Sequence, residues 1–181
     1  MKKKWLIVCA FCMHCVILPP QVATEEDLPP NYEEFIFDLF DTFIGEMQNT
    51  FQLLYIKDGR NMSKENPDIL EELGILFFAH HEATVEEARE LEVRTTERLG
   101  FLINTHQGIR PFLKEYPFPV SRIEVKIGFF DEEKKCPYAN GVAFVFQNHS
   151  LIRYNRSQDG KLVTILEEPY EEALNKVALR S

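Results

Sequence analysis

Cysteine is nearly absent from the part of this chain that can fold. Of its four cysteines, Cys9, Cys12 and Cys15 fall within the first eighteen residues, and Cys136 stands alone in the rest. An internal disulfide framework is therefore excluded, and the fold must be held by packing. Long apolar runs are also missing, with one exception from Trp5 to Leu18. That run is shorter than the roughly 20 residues a membrane-spanning helix needs. The standard catalytic signatures are lacking as well. There is no Gly-x-Ser-x-Gly, no Gly-rich phosphate loop, no pair of histidines four apart and no Glu-x-x-His. Nucleophile-elbow hydrolases, P-loop enzymes, zincins and di-iron bundles are thereby set aside.

What is present begins with Lys2, Lys3 and Lys4 ahead of the apolar run, with Pro19-Pro20 closing it. A basic start, a short apolar core and a small residue soon after form a secretory signal peptide. Cleavage is expected after Ala23, with an uncleaved anchor as the alternative. The chain is then expected to be exported, to a periplasm or beyond, with no membrane span once the signal is removed. Lipidation at Cys9, Cys12 or Cys15 is disfavoured, because Val8, Phe11 and His14 precede them where a lipoprotein signal wants a small residue.

The signal takes three of the 20 basic residues and none of the 29 acidic ones, so the remainder carries a formal charge of −12. A surface that acidic cannot neutralise phosphates, and nucleic acid is not expected as a partner. Residues 24–30, an acidic leader ending in Pro29-Pro30, read as extended. Residues 31–181 are expected to form one domain.

Spacing predicts helices first. Ile36, Phe40, Phe43, Met47, Phe51 and Leu54 recur every three or four residues, giving a helix from Asn31 to about Ile56. Asn66-Pro67 resembles a cap followed by proline at the first helical position, and Ile69, Leu70, Leu73, Leu76 and Phe77 then suggest a second helix. Thr84 with Glu87 forms a capping box for a third, running to about Asn104. A short helix is expected around Phe112 to Tyr116. From Ile123 the period changes to two: Ile123, Val125, Ile127 and Phe129 alternate with polar residues and Gly128. Strands over 142–147, 151–155 and 162–166 follow, separated by Asn140-Gly141, Asn148-His149-Ser150 and Asp159-Gly160. Pro169 opens a last helix. The expected architecture is α+β: a three-helix N-terminal part, an antiparallel meander of three or four strands and a C-terminal covering helix. Its core is expected to hold Phe40, Phe43, Leu73, Leu99, Val125, Ile127, Phe144 and Ile165. Phe37 and Ile44 fall beside the first helix's inward stripe, which suggests either burial on two sides or an exposed patch.

Candidate chemistry is sparse. His80 and His81, near Glu82, are the first place to look for a metal, although their spacing matches no known site. Cys136 follows Lys134-Lys135, whose charges would favour thiolate, and His149 is a histidine that could act with it. An exposed Cys136 could also link two chains in an oxidising compartment. No cofactor is implied. Asn61, Asn148 and Asn155 each start an acceptor triplet for N-glycosylation, which matters only in a eukaryotic secretory pathway.

The stretch Gly100-Phe101-Leu102-Ile103-Asn104, then Arg110-Pro111-Phe112-Leu113 and Tyr116-Pro117-Phe118, and finally Glu167-Glu168-Pro169-Tyr170-Glu171-Glu172-Ala173, resembles small exported proteins of unknown function from chlamydia-like bacteria. The resemblance implies a Gram-negative envelope or host-directed setting and assigns no activity. The sequence reading thus favours an exported, non-enzymatic protein-interaction module. An enzyme of undescribed type, most plausibly a hydrolase, and a periplasmic small-ligand carrier are the alternatives. A histidine within hydrogen-bond reach of Cys136 would favour the enzyme, and a dry apolar cavity the carrier.

Overall fold

The structure is a computed structural model that describes residues 32–179. The expected signal (1–23) and leader (24–30) lie outside the described residues. Helix α1 (Tyr32–Phe51) carries Glu33 and Glu34 in its first turn, where carboxylates meet the positive end of the helix dipole. Ile36, Leu39, Phe40, Phe43 and Met47 form its buried stripe. The helix stops short of Ile56. Gln52 takes a left-handed φ of 56°, and the Leu53 N–H closes onto the Met47 carbonyl at 3.4 Å. No glycine marks this stop.

The expected second helix is a correction. Residues 54–79 form strands β1 (Leu54–Met62) and β2 (Leu70–Ala79), paired antiparallel. The three-helix N-terminal part is therefore not seen. In β2, Leu73, Ile75, Phe77 and Ala79 are buried on one face while Leu76 and Phe78 are half-buried on the other. A strand apolar on both faces also satisfies a three-and-four spacing, so periodicity alone cannot separate it from a helix. Gly74 in its centre disfavours a helix by about 1 kcal/mol relative to alanine. The cap chemistry at Asn66-Pro67 is real but serves a turn: the Asn66 side chain accepts from the Asp68 N–H at 3.0 Å, and its carbonyl from Ile69 at 3.0 Å.

Helix α2 (Val85–Thr105) has the capping box foreseen at Thr84 and Glu87. The Glu90–Arg94 pair, 2.8 Å apart, lies on its solvated side. A 3-10 turn at Arg110–Phe112 replaces the expected short helix. The segment is pinned by Asn104, which donates to the Gly100 and Phe118 carbonyls and accepts from the Phe118 N–H. Strands β3 (Ile123–Asp131), β4 (Cys136–Pro137), β5 (Phe144–Asn148), β6 (Leu151–Gln158) and β7 (Lys161–Pro169) follow, and α3 (Tyr170–Ala178) ends the chain's described part.

The seven strands make one mixed sheet in the order β1-β2-β3-β5-β6-β7, with β4 paired to the end of β3. Tight turns join β5 to β6 and β6 to β7, which pair antiparallel as short connections require. β2 and β3 are parallel, and α2 is the crossover between them. The expected meander is thus one half of a wider sheet. All three helices contribute to a single core on one face of it. Six of the eight expected core residues are buried there. Phe144 instead points to the other face, and Ile165 is the extra residue of a bulge in β7, 39% exposed. Gly141, at φ 71°, lets the chain pass the Ala83 carbonyl; a Cβ there would lie 2.2 Å from that oxygen. No helix of the described residues is long and apolar enough to cross a membrane.

Candidate functional site

Covering one face of a sheet with three helices leaves the other face to be explained. Its side chains come from the alternate positions of each strand, and the registers align them in rows. One row reads Lys57, Leu76, Lys126, Phe146, Arg153 and Glu167 from β1 to β7. The next reads Leu54, Phe78, Gly128, Phe144, Asn155 and Thr164. Gly128 is short for a reason: the Phe78 ring lies across it, so an added Cβ would meet that ring at 2.8 Å. Phe78 stacks on Phe130 with centroids 5.4 Å apart, and Phe144 meets Phe146 at 5.8 Å. All four rings are half-buried, and Leu54 is 47% exposed. Among the described residues no helix lies over them.

Beside the aromatic rows the face sinks into a hollow of about 540 Å³. Its floor is Gly59 of β1 opposite Gly74 of β2, where neither strand offers a side chain. Glu72, Glu124 and Lys126 stand around it, with Asn148 and His149 on the rim. These groups are engaged with one another: Asn61 donates to Glu72 at 2.6 Å and Lys126 pairs with Glu124 at 2.8 Å. The hollow is therefore polar and zwitterionic, unlike a dry ligand cavity.

The residues expected to carry chemistry are dispersed. Cys136 is exposed on β4, opposite Asp131 at the far end of β3. Lys134 is held by Asp131 at 2.8 Å. His149 occupies the β5–β6 turn at φ 56°, and its carbonyl accepts from the same Gln147 amide that donates to Ile123, the first residue of β3. Cys136 and His149 thus belong to opposite ends of β3, about 25 Å apart at the rise of a strand. His80 turns Nδ1 to the Phe130 carbonyl at 3.1 Å, and His81 sits edge-on to Phe129. Among the described residues no histidine hydrogen-bonds Cys136, and no three metal-ligating side chains converge.

Two carboxyl groups, Glu92 and Glu168, are buried between the helices and the sheet, and neither is among the candidate site residues read from the sequence. Glu168 of β7 accepts from Arg89 of α2, from the Tyr154 hydroxyl of β6 and from Lys176 of α3, each at 2.6 Å. Burial alone would raise this carboxyl, but these three donors outweigh it and hold its pKa below the usual carboxylate range. Glu92, one turn further along α2, is fully buried and neither oxygen has a hydrogen-bond partner. Burial pushes its carboxyl well above the usual range and the Glu124 charge adds to the rise, while the Gln147 backbone N–H nearby opposes it without reaching hydrogen-bond geometry. The same burial raises the phenols of Tyr154 and Tyr170. A sequence signal for this layer did exist: Arg89, Glu92 and Thr96 recur at helical spacing beside the apolar residues of α2. Comparison with protein-family models, with curated proteins and with solved structures finds no match for the chain.

Proposed function

We propose that the chain is an exported, non-enzymatic interaction module and that the uncovered face of its sheet is the surface it presents to a protein partner. The observation that carries this reading is the one-sided placement of α1, α2 and α3, which leaves Phe78, Phe130, Phe144 and Phe146 half-buried with no described element above them. Contiguous apolar surface of this kind on a folded chain marks an interaction site. Lys126 and Arg153 on the same face are already paired with Glu124 at 2.8 Å and Glu167 at 2.6 Å, so the matching partner is an element whose apolar stripe covers the rings. The N-terminal signal and the resemblance to exported proteins of chlamydia-like bacteria support an envelope or host-directed setting. The enzyme alternative has less behind it, since its best nucleophile, Cys136, has no histidine bonded to it among the described residues. The carrier alternative wants a dry cavity, and the hollow at Gly59 and Gly74 is polar.

Face-specific photo-crosslinking tests the reading. A photoreactive residue at position 146 should yield a discrete adduct with one partner in the compartment to which the chain is exported, and the same residue at position 90, on the solvated side of α2, should not. Adducts from position 90 alone, or from neither position, would overturn the assignment of the surface.

A further inference from the structure

Glu92 and Glu168 occupy the same buried layer, yet every cation within it is spent on one of them. Arg89 lies one turn before Glu92 on α2 but bonds Glu168 at 2.6 Å and reaches Glu86 at 3.7 Å. Lys176 of α3 bonds Glu168 and Glu172. What faces Glu92 instead is uncharged or acidic. Thr95 and Thr96 come from its own helix, Gln147 from β5, Tyr154 from β6 and Tyr170 from α3, while Glu124 of β3 adds a repulsive charge. Glu97 and Glu171 extend that repulsion to the Tyr170 end. The hydroxyls of Thr95, Thr96 and Tyr170 and the Gln147 Oε1 are themselves buried without a partner. A buried carboxyl with no donor bonded to it and no cation in reach is far less costly as the neutral acid than as the carboxylate.

We propose that Glu92 is a proton-operated latch: neutral, it lets α2 seat against β5 and α3, and on losing its proton it loosens that helical layer from the sheet. In the unfolded chain Glu92 ionises at the ordinary value near 4.5. The latch's contribution is therefore complete below that pH and is lost as pH rises towards the folded-state value. The direction is opposite to that of Glu168, whose donors stabilise the ionised form.

The test uses the full chain. Urea unfolding between about pH 5 and pH 8 should show the wild-type unfolding equilibrium rising with pH by up to about tenfold per unit, the limit for one proton. Glu92→Gln keeps the shape, removes the titration, and should flatten this rise. Equal pH slopes in the two proteins would overturn the proposal. If the variant does not fold, a carbon-13 glutamate titration of the wild type decides the matter. One carboxyl still protonated at neutral pH supports the latch, and a full set of ionised carboxylates at neutral pH overturns it. A second readout separates a latch from a general loss of stability. Amide exchange in α2 and α3, corrected for the intrinsic pH effect, should accelerate at high pH before that in α1, whereas simultaneous acceleration of all three helices would contradict the localised loosening.

Discussion

Along β3 the residues Ile123, Val125, Ile127 and Phe129 are at most 1% exposed, while the alternate residues Glu124, Lys126 and Phe130 are half-buried on the opposite face. One strand therefore serves two solvents, a packed interior and a surface shared between water and four aromatic rings. The difference teaches where cost and where function should lie. Substitutions on the covered face should act on folding, because voids and unpaired charges there have no water to relieve them. Substitutions on the open face should act on binding, because little is buried against them in the free protein.

The largest effect is expected at Phe43, fully buried with its ring 5.8 Å from Phe77. Phe43→Ala should cost roughly 3 to 5 kcal/mol in urea unfolding. A loss below about 1 kcal/mol would break the distinction between the faces. A comparable loss, roughly 3 to 5 kcal/mol, is expected for Arg89→Leu, which leaves the Glu168 carboxylate without its main buried partner. The sign of its pH dependence follows from the lowered Glu168 value. In the wild type the stabilisation is present above the unfolded value of 4.5 and fades as pH falls through the folded one. Arg89→Leu should therefore destabilise most near neutrality and least in strong acid, and a uniform loss across pH would refute the pairing account.

Phe146→Ala on the open face should cost less than about 2 kcal/mol, since only part of the ring is buried, yet it should abolish partner capture. A mutant that unfolds as readily as Phe43→Ala would show that something covers this face in the free chain. The smallest effect belongs to Cys136→Ser. An exposed side chain away from the core should shift stability by no more than about 0.5 kcal/mol. In non-reducing gels any oxidised double-mass band should vanish with the thiol, and a wild type that resists alkylation would contradict the exposed position.

The parts of this architecture legible in the sequence are those fixed by local chemistry. Thr84 and Glu87 announce α2 because a capping box is complete within four residues, and the alternation from Ile123 to Phe129 announces β3. Asp159-Gly160 marks the β6–β7 turn, with Gly160 at φ 72°. β1 and β2 were hidden because Leu76 and Phe78 make the second face of β2 apolar and blur its period. The end of α1 was hidden because Gln52, not glycine, takes the left-handed turn. The candidate surface was less legible still. Gly59 meets Gly74, and Lys126 meets Phe146, through strand registers that no local pattern encodes. Arg89 finds Glu168 across 79 residues.

The central claim, that one face of the sheet is packed and the other free, is tested most directly by hydroxyl-radical footprinting of the purified full chain. Phe78, Phe144 and Phe146 should be oxidised readily while Phe43, Phe77 and Phe129 stay protected. Equal protection of both groups of rings would show that the face is already covered and would contradict the account.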